Sequence, residues 1–380
     1  MGVQDNVAKY PVALVGGGAI APFHAKYLIS SPTCELVAII DPFPPGLKLA
    51  KELSIPHFQS VGELLSSNCQ KPDAYIVCVP SGLHVSVALD ILEQATPKAL
   101  LVEKPLATDS VSGAKLIAVA KEKRVKILVG HHRRFNPYLE AARETIVDGR
   151  LGKITAISGL WAIKKNDGYF DEAKWRASRS GGGGPVWINL VHEIDALHYL
   201  MGSKIVRVWV AATAKERTHD KIESDDAVEE GAAILMQFGN GVVGTFIICD
   251  NVASPYNWEH ATGENPLLPR ATEPVDSYRV FGTKGSLSVP DLVLWTYQNS
   301  SLQTSAAEVG WNQPMMRQIV DVGNGIPFQR QAEHLANLIT GEEEEPRCSG
   351  NDGLAAVKVC EAVIEALTSG DGQPYNIPHI

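Results

Sequence analysis

Three groups of residues in the sequence have types and spacings suited to chemistry. The first is Gly16-x-Gly18-x-x-Ala21, a form of the dinucleotide fingerprint. Gly16 permits a tight turn, Gly18 lets the backbone approach a pyrophosphate, and Ala21 is small enough for a helix to pack closely on a strand. Ala19 and Ile20 complete the phosphate-binding turn, and the helix N-terminus that follows suits an anion. Asp41 follows Ala21 by 20 residues. A carboxylate there accepts hydrogen bonds from the adenosine ribose and repels a 2′-phosphate, which favours NAD while leaving NADP open. Its structural alternative is an Asx turn or helix cap before Pro42.

The second group sits at two further strand ends, where ligands bind in open α/β sheets. It comprises Val79, Pro80, Ser81 and His84, then Glu103-Lys104-Pro105. The proline restricts the lysine backbone to extended geometry and helps to fix its direction. The third group follows the run Gly181-Gly182-Gly183-Gly184-Pro185. His192 and Asp195 are three apart and share a helical face, with Asn189 a turn earlier. His192 titrates nearest neutral pH and suits a general base; Lys104 suits an oxyanion. Asp195 would orient the imidazole and Asn189 would bind a substrate hydroxyl. A metal at the His–Asp spacing ranks below acid–base use, because no second set of ligands is visible. His198 drifts off that face and reads as core or surface. Trp161, Lys164, Lys165, Tyr169, Trp175 and Arg176 form a region rich in cations and aromatics, suited to an anionic or polyhydroxylated ligand or to packing.

These groups need positioning elements, and the first third of the chain supplies them in alternation. Apolar runs at 12–15, 36–40, 74–79, 99–102 and 126–129 are separated by helical stretches at 21–30, 46–53, 84–93 and 110–123. Continuous apolar strands between helices predict a parallel, doubly wound sheet. After Gly130 a helix at 137–148 precedes longer strand signals at 154–163, 205–213, 230–238, 242–250, 278–281 and 286–289. Gly239-Asn240-Gly241 predicts a hairpin. The second domain therefore reads as α/β with a large open, mainly antiparallel sheet. Residues 254–274 are polar, carry four prolines and lack periodicity, as in a functional or disordered loop. Within them Trp258, Glu259, His260, Glu264 and Asn265 are candidate pocket-lining groups. Helices are expected at 328–340 and 353–369.

Composition narrows the class. A chain of 380 residues exceeds one ordinary core. A net charge of -9 argues against a nucleic-acid partner. No apolar run reaches membrane-spanning length and no leader is evident. Six scattered cysteines without a CxxC pair read as free thiols, which points to the cytoplasm.

The fingerprint, Glu103-Lys104-Pro105, the stretch Gly130-His131-His132-Arg133-Arg134-Phe135-Asn136-Pro137, Trp175-Arg176, the glycine run and His192-x-x-Asp195 occur in one order, together with the tail at 346–354. In this the chain resembles the glucose–fructose oxidoreductase/inositol dehydrogenase/rhizopine catabolism (Gfo/Idh/MocA) family over nearly its whole length. The resemblance implies a Rossmann domain at 1–130 and a substrate-binding and oligomerisation domain at 131–380, with C-terminal helices able to pack back on the first. It implies an NAD(P)-dependent enzyme acting on a hydroxyl or ketone of a sugar, cyclitol or related compound. It further implies Lys104 and His192 as catalytic residues, with Pro80, Ser81, His84 and Glu103 on the nicotinamide side. Arg134, Trp175 and Arg176 would lie near nicotinamide or substrate, and the assembly would be a homodimer or homotetramer. One departure stands out. The family commonly has Asp, sometimes Asn, four residues before the histidine; here that residue is Ile188, and the polar one is displaced to Asn189. The alternatives are a dinucleotide-binding sensor without catalysis, or a reductase of an imine or specialised metabolite.

Overall fold

The computed structural model of the chain describes residues 9–217, 226–297 and 310–378. The first eight residues, read above for a leader, lie outside it. Two compact units are formed: Met1–Phe135 with Gly325–Lys358, and Asn136–Asn324 with Val359–His379. Among the described residues no helix is long and apolar enough to cross a membrane.

The first unit is a parallel six-stranded sheet. Its strands are β1 (Tyr10–Val15), β2 (Cys34–Ile40), β3 (His57–Phe58), β4 (Ala74–Val77), β5 (Ala99–Val102) and β6 (Lys126–Val129). The order β3-β2-β1-β4-β5-β6 reverses direction between β1 and β4, the switch point at which such sheets bind ligands. Val12, Ala13 and Leu14 in β1 and the whole of β5 are fully buried, as expected of strands covered on both faces. The crossovers are α1 (Ala21–Ser30), α2 (Pro44–Leu53), α3 (Val61–Ser66), α4 (His84–Gln94) and α5 (Ser110–Glu122). Local chemistry sets their limits. Asp109 caps α5 through the Ser112 amide at 2.7 Å, and Ser54 ends α2 in the left-handed region. Strand β3 and helix α3 are additional to the elements expected from the sequence. The strand has only two residues, too few for a period. Helix α3 has six, but Ser60 accepts from the Glu63 amide and Glu63 from the Gln59 amide, a capping pattern visible in the sequence.

The second unit holds α6 (Pro137–Val147), β7 (Ile154–Ala162), α7 (Asp167–Glu172), α8 (Val191–Met201), β8 (Ile205–Ala212), β9 (Gly231–Phe238) and β10 (Val243–Cys249). It continues through α9 (Trp258–Thr262), β11 (Tyr278–Gly282), β12 (Gly285–Val289), β13 (Val293–Tyr297), β14 (Met315–Ile319) and β15 (Tyr375–Asn376). The sheet order is β14-β13-β12-β11-β7-β10-β9-β8-β15. It is mostly antiparallel, with β7 and β10 parallel to each other. The Gly-Asn-Gly turn joins β9 to β10 as a hairpin, with Gly241 at φ 88°. Helices α10 (Pro327–Thr340) and α11 (Gly350–Ser369) close the chain. Helix α10 belongs to the first unit, where its Phe328 stacks on His132 and lies against Phe23 and Tyr27. The division between the units falls within α11.

Residues 254–274 are anchored at Asn257–Trp258 and are otherwise half-buried or exposed. Trp258 and Asn257 are fully buried, and Asn257 Nδ2 donates to the Ala162 carbonyl at 3.0 Å. Their anchors are side chains rather than a periodic face, so sequence period could not reveal the order. Strand β14 was missed for a related reason: every residue in it is exposed, so no alternation marks it.

Along β10, buried Gly244, Phe246 and Ile248 alternate with exposed Val243, Thr245 and Ile247. On the buried face a Cβ at Gly159 would lie 2.3 Å from the Phe246 ring, which is 1% exposed and has nowhere to swing. Gly159→Ala should therefore cost about 1–3 kcal/mol as overpacking, read as a lower denaturation midpoint. An unchanged midpoint would mean that the ring moves aside.

Candidate active site

In the first unit the glycine turn is shaped by its neighbours. Gly16 has φ 97°, and a Cβ on it would sit 2.7 Å from the Cys78 carbonyl. A Cβ on Gly17 would meet Gly46 Cα at 2.4 Å, so two backbones approach face to face. Around Gly18 only the Cys78 carbonyl lies within 4 Å of that position, at 3.9 Å, which leaves its backbone approachable. Helix α1 begins at Ala21 with no side chain capping its N-terminus and no acid in its first turn. Such an end favours an anion. Asp41 accepts from the Gly17 amide at 2.8 Å and from the Phe43 amide at 2.9 Å. The second bond is the Asx turn named above as the structural alternative, and the first ties the carboxylate to the glycine loop.

The ends of β4 and β5 are joined by buried histidines. His84 places Nδ1 2.7 Å from the Pro105 carbonyl and Nε2 2.9 Å from the Val79 carbonyl. It thus links the Val79-Pro80-Ser81 turn to the Glu103-Lys104-Pro105 turn. Burial lowers its pKa. Glu103 is 5% exposed and lies 2.7 Å from His24 Nε2 of α1. Its other oxygen accepts from the Lys104 amide at 3.1 Å. A Cβ at Gly130 would lie 2.8 Å from this carboxylate, so the glycine makes room for it. Burial opposes ionisation of Glu103. The His24 hydrogen bond, with the charges of His24, His132 and Lys104, outweighs burial and brings the pKa to about 2. The sequence reading missed His24, because its partner lies 79 residues away.

Arg134 is 5% exposed; its guanidinium donates to the Arg347 carbonyl at 2.7 Å and lies 3.4 Å from Asp352. These bonds hold the returning 346–354 segment and account for its burial.

In the second unit the glycine run packs beneath Trp175-Arg176. A Cβ on Gly183 would meet the Arg176 carbonyl at 2.4 Å. Gly184, at φ 87°, faces Glu229, which accepts from the Val186 amide at 3.1 Å. Burial pushes Glu229 up to about 7. Residues Val186–Leu190 form a π-helical turn that runs into α8. Asn189 lies in that wider turn, three residues before His192. Its Oδ1 accepts from Lys165 Nζ at 2.8 Å. His192 and Asp195 are both buried, at 8% and 1% exposure. His198 accepts from the Ile205 amide at 3.0 Å, a structural role that fits its position off the face.

Of the cation-aromatic region, Trp161 is 2% exposed and donates its indole N–H to Glu259 at 2.9 Å. Arg176 lies over the Tyr169 ring at 4.1 Å and donates to the Tyr169 carbonyl at 2.6 Å. Trp175 is half exposed. Among the loop candidates, Glu264 accepts from Trp258 and Asn136, while His260 pairs with Asn257. These groups make internal contacts that anchor the segment.

Residues 10–131 match the sequence model of an oxidoreductase family's NAD-binding Rossmann fold, and residues 143–377 match the same family's C-terminal alpha/beta domain. The chain belongs to the Gfo/Idh/MocA family. An inositol 2-dehydrogenase of Rhizobium meliloti is 23% identical over 93% of this chain and 96% of that protein. The rhizopine catabolism protein MocA of Rhizobium meliloti is 28% identical over 61% of this chain and 72% of its own length. Among solved structures, the WlbA dehydrogenase from Bordetella pertussis, in complex with NADH and UDP-GlcNAcA, superposes with a TM-score of 0.72. It is 22% identical, over 98% of this chain and all of that one. This Gfo/Idh/MocA member is thus an oxidoreductase whose first unit is the family's NAD-binding domain. The residues present fit that cofactor: an uncapped helix end and an approachable Gly18 suit the pyrophosphate, and a fixed carboxylate at Asp41 suits the ribose.

A carboxylate with a lowered folded pKa stabilises the fold above its ordinary value of 4.5, and the contribution fades as pH falls toward 2. The melting-temperature gap between the wild type and Glu103→Gln should therefore be full near neutrality and close progressively below about pH 4.5. A gap independent of pH would show that the charge of Glu103 contributes nothing.

Proposed function

We propose that this chain is an NAD-dependent dehydrogenase interconverting a secondary alcohol and its ketone on a sugar, cyclitol or related polyhydroxylated compound. The observation that carries this reading is the retention, in a chain of this family, of two proton-handling groups: Lys104 at the end of β5, and His192 buried in α8 with Asp195 one turn on. When bound, the nicotinamide accepts or returns the hydride. His192 takes the hydroxyl proton on a ring nitrogen as hydride leaves carbon, and Asp195 orients the imidazole. Lys104 donates from Nζ to the oxygen as negative charge grows there. Glu103 and His84 keep the lysine turn in place. Relatives named inositol 2-dehydrogenase favour a polyhydroxylated substrate. Asp41 supports NAD over NADP, because the nearest following cation is the exposed Lys48.

Of the expected cofactor contacts, Val79, Pro80 and Ser81 border the switch point, and Arg134 is assigned to holding the C-terminal return. We assign the chain to the cytoplasm, on six free cysteines. We also propose a homodimer or homotetramer joined through the outer face of the nine-stranded sheet, where Leu235, Val243, Ile247, Phe281 and Trp295 are exposed together.

His192→Ala should lower turnover by roughly 10²–10⁴-fold, the usual worth of a general base, with NAD affinity nearly unchanged in a binding titration. Unaltered turnover would remove His192 from the mechanism. Light scattering should give a dimer or tetramer, and Ile247→Glu should shift it toward monomer; a monomeric wild type contradicts the assembly.

A further inference from the structure

Glu229 stands two residues before β9 and is 3% exposed. Its Oε1 accepts from the Val186 amide at 3.1 Å. Val186 opens the π-helical turn that runs into α8, so its N–H is one that the helix itself leaves unpaired. The glycine run makes the space. Gly184 lies at φ 87°, and a Cβ on it would stand 2.5 Å from the same oxygen. The Cys360 thiol of α11 reaches the Val186 carbonyl at 3.8 Å. Side chains from outside the turn thus grip both polar groups of its first residue, and all of them belong to the second unit.

The other carboxyl oxygen is poorly served. Glu229 Oε2 is buried, and among the described residues it has no hydrogen-bond partner. Such a group is costly to keep charged and far easier to keep protonated. Burial is the largest influence and raises its pKa to about 7, and the charge of Asp250 adds to the rise. Bonds from its own amide and the Val186 amide, with the charge of Arg179, oppose the rise without cancelling it. Burial also pushes Cys360 up, helped by the charges of Glu361 and Glu229, so that group stays a neutral thiol. A carboxyl raised from 4.5 to about 7 favours its packed position fully below pH 4.5, and the advantage is lost as pH rises through 7.

We propose that Glu229 is a proton-operated latch on the turn that leads into α8. Protonated, it stays lodged against Gly184 and holds the Val186 amide. Ionised, it is drawn toward water and releases the turn. His192 and Asp195 ride on α8, so mild alkali loosens the start of the helix that carries them. The latch is a property of the turn and stands whether or not His192 handles a proton.

Hydrogen–deuterium exchange of the full chain tests this, read by mass spectrometry on a peptide spanning 182–192 and divided by the intrinsic rate at each pH. Opening of the wild-type turn should rise roughly 10-fold between about pH 6 and pH 8 and level off above, the span set by pKa values of 4.5 and about 7. Glu229→Gln keeps an acceptor for the Val186 amide but has no proton to lose, so its protection should be the same at every pH. Gly184→Ala drives a methyl group against the carboxyl oxygen and should exchange fast at every pH. A peptide spanning β11, in the same unit, should show no such rise. Opening of the wild-type turn that does not change with pH, or that rises equally in Glu229→Gln, would overturn the proposal. An equal rise in β11 would overturn it too, because the unit as a whole would then be opening.

Discussion

The carboxylate of Glu103 is the constraint on which the first unit's chemistry depends. It is buried where β5 ends, seated over Gly130, and joined to His24 on the helix whose uncapped N-terminus suits an anion. Its second oxygen holds the amide of Lys104. One charged group therefore ties the helix that follows the glycine turn to the turn that carries Lys104. His84 adds a brace across the β4 and β5 turns through two backbone carbonyls. Burying a carboxylate is unfavourable unless it is paired and hydrogen-bonded, and here His24 and the Lys104 amide supply both.

The second unit solves an equivalent problem with a cation. Lys165, Asp250 and Arg217 form a buried chain of charges at the ends of two parallel strands in an otherwise antiparallel sheet. The chain ends on Asn189, inside a π-helical turn that precedes the His192 helix. Such turns are rare, and their frequent use at functional sites follows from the way they displace side chains without breaking the helix. The absence of an acid at Ile188 thus coincides with a rearranged polar contact, not with the removal of polar chemistry from this end of α8.

Much of this was legible in the sequence, and the reasons are local. Strands β5 and β6 are continuous apolar runs bounded by helices, and the Gly239-Asn240-Gly241 turn fixes the β9–β10 hairpin. The fingerprint, Asp41, Lys104 and His192 stand out because their spacing to a strand or helix end is short. What stayed hidden depends on long-range pairing. His24 meets Glu103, Asn257 meets Ala162, and Trp161 meets Glu259, each across many residues. Asn189 shows the same limit from another side. Its place in the sequence suggests a shared face with His192, but only the π turn and Lys165 reveal that its carbonyl is already taken.

A dinucleotide site and a His192 helix that serve redox chemistry on a carbinol must reduce NAD when the right substrate is supplied. Absorbance at 340 nm tests it most directly, with purified protein, NAD and a panel of sugars, inositols, sugar acids and hydroxy acids. The account predicts NADH formation with at least one polyhydroxylated member of that panel. Measurable NAD binding with no absorbance change across the whole panel would contradict it and make the chain a dinucleotide-binding sensor.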